Sequence, residues 1–232
     1  MQRMRKLIDE VRIAYPHDHF FDGVRESLKY SAQARAYYRA YDRALGCLDI
    51  ISWQELSRKA VSHFRDHRLG QLKQGFFHQL NEAFAYQYLV RRGFSHVRVL
   101  PESRTPTPDL SFKQRSATRF CEVKTIAVSE QEIARRSSES YSTSDYAELS
   151  HGFKRKFDND LQVAQRQIAA VGGTGLIFVL ANFDDFTQTY YRRYREQLLE
   201  FLAAHEALEV YVKVGVIGGR RLVKAAGSTR GA

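Results

Sequence analysis

Pro108-Asp109 is followed, thirteen residues after the aspartate, by Glu122-Val123-Lys124. If residues 120–126 form a strand, alternation puts Cys121, Val123 and Thr125 on one face and Glu122 with Lys124 on the other. A carboxylate and an ammonium then stand side by side on an otherwise apolar strand. Asp109 and Glu122, brought together from adjacent strands, would repel unless a divalent cation sat between them, and all-oxygen ligation suits Mg²⁺. A neighbouring lysine can stabilise a pentavalent phosphate or orient an attacking water. Phosphodiester hydrolysis needs that division of labour.

The flanking patterns say which elements would carry these groups. Residues 1–72 read as helices only: Leu7, Val11 and Ile13 are apolar in the first, and Tyr37, Tyr38, Tyr41 and Leu45 are spaced three to four apart in the second. A third helix is expected to begin at Ser52, with Glu55 completing a capping box and Trp53, Leu56, Ala60 and Phe64 forming the stripe. Phe77, Leu80, Phe84 and Tyr88 mark the next helix, which carries Glu82 and stops at Gly93. Three short β-rich runs follow at 97–100, 110–112 and 120–126, with Pro101, Pro106 and Pro108 between the first two. After a Ser- and Tyr-rich loop at 137–150, Phe153, Phe157, Leu161, Ala164, Ile168 and Val171 give one helix face ending at Gly172-Gly173. A buried-type strand at 175–182, a helix near 186–205 and a strand at 208–217 complete the order. The expected fold is α/β: helix, three strands, helix, strand in a mixed sheet flanked by helices, with an all-helical amino-terminal extension. The expected divisions are 1–72 (helical extension), 73–218 (core) and 219–232 (frayed basic tail).

Over residues 75–182 this arrangement resembles the PD-(D/E)XK nuclease superfamily, which has the restriction-endonuclease-like fold. The signature is matched by Pro108-Asp109 and Glu122-Val123-Lys124, the leading helix by Asn81-Glu82-Ala83-Phe84, and the following A-x-x-Q pattern by Ala164-Gln165-Arg166-Gln167. The resemblance implies a metal-dependent nuclease, foremost a DNA endonuclease. It implies that Asp109 and Glu122 hold Mg²⁺ or Mn²⁺, with Glu82 assisting or holding a second ion and the Val123 carbonyl completing the coordination. Lys124 would be catalytic and Gln167 supporting. The long 137–150 loop departs from a minimal member. Two other readings stay open: a nucleic-acid-binding module of the same fold without the reaction, and a structural or interaction protein with a basic surface. The choice between DNA and RNA is open as well.

Composition narrows the partner. The 232 residues carry a formal net charge of +10, and 44% hydrophobic, 12% aromatic and 27% charged residues are enough for a folded core. Such an excess favours a polyanion, with nucleic acid foremost. No apolar run approaches the roughly 18 residues of a membrane helix. Arg3, Arg5 and Lys6 lead into Asp9 and Glu10, so no export signal is expected. Cys47 and Cys121 cannot make a disulfide framework, which sets a reducing cytoplasm as the expectation. Arg135, Arg136, Lys154, Arg155 and Lys156 flank the loop and are candidates to contact phosphates. The run from Tyr190 to Arg195 could stack on bases or form an amphipathic helix. The amino-terminal helices could recognise DNA or join two copies in a homodimer. His63 and His67, four apart, read as a solvated pair, and Gly172-Gly173-Thr174-Gly175 lacks the ending of a phosphate-binding loop.

Overall fold

Apolar side chains three and four positions apart bury one stripe of most helices in the first of two units, Met1–Arg119. The computed structural model describes residues 1–67, 72–103, 105–128, 134, 148–183, 190–205, 209–217 and, as backbone, 221–223. Helix α1 (Gln2–Ala14) buries Met4, Leu7, Ile8 and Val11. Ile13, expected on that stripe, is 82% exposed, because two residues beyond Val11 is roughly 200° round the helix. Helix α2 (Val24–Tyr30) buries no residue and so has no stripe to announce it. Helix α3 (Ala32–Leu45) starts where the Ser31 hydroxyl accepts from the Ala34 amide (3.1 Å), and buries Ala40, Tyr41, Ala44 and Leu45.

Helix α4 (Ile50–Ser62) begins earlier than the Ser52 and Glu55 pattern predicts. Asp49 is the cap, accepting from the Ser52 amide at 2.8 Å, since an ionised carboxylate also suits the positive end of a helix. Ser52 is thereby released inward, where its hydroxyl accepts from the Val99 amide (3.2 Å), while Glu55 pairs with Arg58. Helix α5 (Gln74–Arg91) is the centre of this unit: every residue from Leu80 to Tyr86 is buried, and Tyr41 of α3 donates to Asn81 Oδ1 at 3.0 Å. It ends where Gly93 takes a φ of 80°.

Strand β1 (Ser95–Val99) pairs antiparallel with β2 (Leu110–Gln114). The proline-bearing connection is closed by the Leu100 amide donating to the Asp109 carbonyl (2.8 Å), which pins Asp109 to the head of β2. The boundary read at 72/73 falls inside this unit, because α5 packs on α3, α4 and β1.

The second unit, Phe120–Ala232, takes over within β3 (Ala117–Ile126). Residues 120–126 of β3 run parallel to β4 (Gly175–Ala181), β4 runs parallel to β5 (Val210–Val214), and β6 (Arg221–Val223) joins β5 antiparallel. The protein is therefore α/β with a mixed open sheet, and part of the expected frayed tail is the strand β6. Helices α6 (His151–Ala170) and α7 (Tyr191–Ala203) are the crossovers between the parallel strands. Both pack on one face of this sheet, where Phe157, Leu161, Ala164 and Ile168 of α6 and Leu198 and Leu202 of α7 meet Ile177, Val179, Val210 and Val212. Leu176, Phe178, Leu180 and Tyr211 on the opposite face are buried too. Among the described residues no helix is long and apolar enough to cross a membrane.

The Gly172–Gly175 run has a structural purpose. Gly172 has φ 65°, and a Cβ on Gly175 would stand 2.1 Å from the Phe120 carbonyl oxygen, so only glycine lets β3 and β4 pair there. Because that obstacle is backbone, Gly175→Ala is expected to lower unfolding free energy by about 2–3 kcal/mol. Urea denaturation followed by circular dichroism checks this, and an unchanged midpoint would refute the close approach.

Candidate active site

Each unit builds a lysine and carboxylate cluster from residues the sequence singled out, joined in the first unit by one that it did not. In the first unit, Glu82 sits on the fully buried turn of α5 and is 3% exposed. An unpaired carboxylate there would be costly. Its partner is Lys59 of α4, 2% exposed, whose Nζ donates to Glu82 Oε1 at 2.5 Å and lies 4.0 Å from Asp109 Oδ1. Burial alone would pull the Lys59 ammonium down. The carboxylates of Glu82 and Asp109 outweigh it and hold the group above its ordinary value. Asp109 keeps 23% of its side chain exposed.

Sequence reading missed Lys59, yet a signal existed. It lies three residues after Leu56 and one before Ala60, on the buried side of α4, and a lysine there demands an acid in the core. Glu82, expected to assist at the metal site, is a core group paired with Lys59.

In the second unit the alternation of β3 holds. Cys121 is buried on one face, while Glu122 and Lys124 share the other with Ile126, which packs into the layer of α6 and α7. Lys124 Nζ donates to Glu122 Oε1 (2.7 Å) and to Gln167 Oε1 of α6 (2.8 Å). Glu122 is 2% exposed and the Lys124 side chain 19%. Gln167 borders the buried stripe of α6, three residues beyond Ala164, so its amide reaches the strand while Ile168 fills the core.

The other candidates separate from these clusters. Lys154, Arg155 and Lys156 occupy the first turns of α6, whose Ser150 cap accepts from the Phe153 amide (3.1 Å), and Lys156 pairs with Asp160 at 2.8 Å. Thirteen residues separate Lys154 from Gln167, about 20 Å of helix at ~1.5 Å per residue. Arg135 and Arg136 lie outside the described residues. In the 190–195 run Tyr194 is buried and packs on Phe183 (4.7 Å between centroids), leaving Arg192, Arg193 and Arg195 exposed, as an amphipathic helix requires.

A hard divalent cation suits the donor chemistry. In the first unit Asp109 and Glu82, and in the second Glu122 and the Val123 carbonyl, offer oxygen alone, the ligand type Mg²⁺ and Mn²⁺ select. Among the described residues no group of three His, Cys, Asp or Glu side chains stands together as a metal cluster. The chain matches no protein-family model, no curated protein and no solved structure.

His63 and His67 do not act as a pair. His63 lies between Asp66 (2.6 Å from Nδ1) and Glu102 (2.8 Å from Nε2), while exposed His67 bonds the Arg65 carbonyl. Burial lowers the His63 imidazolium, but hydrogen bonds to Asp66 and Glu102 more than compensate, so its value stands above 6.5. A raised folded-state value contributes stability that is full below 6.5 and lost as pH rises through the folded value. The Tm difference between wild type and His63→Asn should therefore be largest below pH about 6 and shrink toward pH about 9. A gap that grew with pH would refute the pairing.

Proposed function

We propose that this protein is a nuclease that uses Mg²⁺ or Mn²⁺ to hydrolyse phosphodiester bonds, acting on DNA as an endonuclease of PD-(D/E)XK type. The observation that carries this reading is Lys124 held between Glu122 Oε1 (2.7 Å) and Gln167 Oε1 (2.8 Å) on one face of β3. The bare sequence string does not demand such a clamp. Residues that the resemblance gives one task converge on one ammonium.

In this reading Asp109 and Glu122 hold the cation, with the Val123 carbonyl as a further oxygen and Glu82 in support. When bound, the cation would lower the pKa of a water and offset phosphate charge. Glu122 and Gln167 accept from two of the three ammonium protons of Lys124, and in this reading the third would serve a phosphate oxygen or the attacking water. Gln167 keeps the lysine from folding onto Glu122 alone. On the same reading Lys154, Arg155 and Lys156, about 20 Å along α6 from Gln167, would contact backbone phosphates away from the reacting one. One observation favours the rival reading of a binding module without the reaction: Glu82 and Glu122 each already carry an ammonium, from Lys59 and Lys124.

Cleavage of plasmid and oligonucleotide with and without Mg²⁺ separates the two. Asp109→Ala and Lys124→Ala are expected to lose at least about 10²-fold in rate, and Gln167→Ala about tenfold. Equal cleavage by wild type and all three variants would refute the site, binding without cleavage would establish the module, and RNA in the same assay fixes the substrate class.

A further inference from the structure

We propose that Lys59 and Glu82 form a charge-balancing pair that sets how strongly Asp109 attracts the divalent cation, a positioning role supplied by the amino-terminal helices. This rests on the nuclease reading. Packing alone does not call for the pair, because apolar side chains of similar volume fill such a place without removing two charges from water. Lys59 and Glu82 are nonetheless 2% and 3% exposed, 2.5 Å apart, with Asp109 Oδ1 only 4.0 Å from the same ammonium.

That spacing is fixed from both ends. Ser52 on α4 accepts from the Val99 amide at the end of β1, and the Leu100 amide that follows donates to the Asp109 carbonyl. These two hydrogen bonds tie the helix bearing Lys59 to Asp109 at the head of β2. At this distance in a partly desolvated place, unit charges act on each other strongly. Lys59 without Glu82 would set an uncompensated positive charge beside Asp109 and repel a dication. Glu82 without Lys59 would add a negative charge and hold the dication harder. Together they add no net charge beside Asp109.

The test is a double-mutant cycle on the full chain, with Mn²⁺ alone as the probe. Mn²⁺ affinity is measured by calorimetry, with Tm recorded for each protein. Glu82→Gln is expected to weaken Mn²⁺ binding about tenfold, Lys59→Met to tighten it by a similar factor, and the double variant to return within about threefold of wild type. The double variant buries no unpaired charge, so it folds where a single variant does not, and loss of Mn²⁺ affinity there overturns the inference by itself. Single variants that change Tm but not affinity also overturn it, since that is the mark of a merely structural pair. Wild type that binds no Mn²⁺ refutes the nuclease reading and the inference with it. Wild type that binds Mn²⁺, with Glu82→Gln binding equally well, refutes the inference only.

Discussion

Taking an ammonium and a carboxylate out of water is unfavourable by several kcal/mol per ion unless each satisfies the other. Among the described residues Lys59 and Glu82 satisfy each other in this way, and buried Glu122 is met by the partly exposed Lys124. Much else follows from that constraint. Helix α5 can be buried at every position from Leu80 to Tyr86 only because its one acid in that stretch meets a lysine from α4. Strand β3 can place Glu122 among apolar neighbours only because Lys124, two residues on, projects from the same face. Gln167 gives that lysine a second acceptor, so its ammonium is held in place without a second negative charge.

Regular structure aims these groups. The period of two in β3 aligns Glu122, Lys124 and Ile126, and the last of these packs with α6 and α7. The 3.6-residue period of α6 then sends Ile168 into the core and leaves Gln167 at its border. Gly175 lets the backbones of β3 and β4 approach closely enough to hold the register that supports both. A polar contact between side chains 43 positions apart thus rests on apolar packing on either side of it.

What was legible in the sequence was what local rules determine. The faces of β3, the end of α5 at Gly93 and the stripe of α6 follow from alternation, glycine chemistry and helical spacing. What escaped depends on competition or distance. Ser52 and Asp49, three residues earlier, are comparable caps, so the pattern alone does not say that Asp49 takes the role. Helix α2 and strand β6 are short, and α2 has no buried stripe. Lys59 and Glu82 are 23 residues apart on different helices, so the pairing of these two charges exists only once α4 and α5 have packed.

The same pairing bears on the +10 net charge of the chain. Lys59 with Glu82 and Lys124 with Glu122 sum to zero, so the excess of positive charge is carried by side chains outside these pairs. Some of it stands on exposed helix surface, at Arg155 on α6 and at Arg192, Arg193 and Arg195 on α7. A polyanion approaching from solvent feels that outer field over about a Debye length, which is ~8 Å at physiological salt. A cation at a buried carboxylate instead feels its immediate neighbours, where lysine and glutamate cancel. In the nuclease reading proposed above, attraction of a phosphate backbone and admission of a divalent cation would be answered in different places, the first at the surface and the second beside the buried pairs.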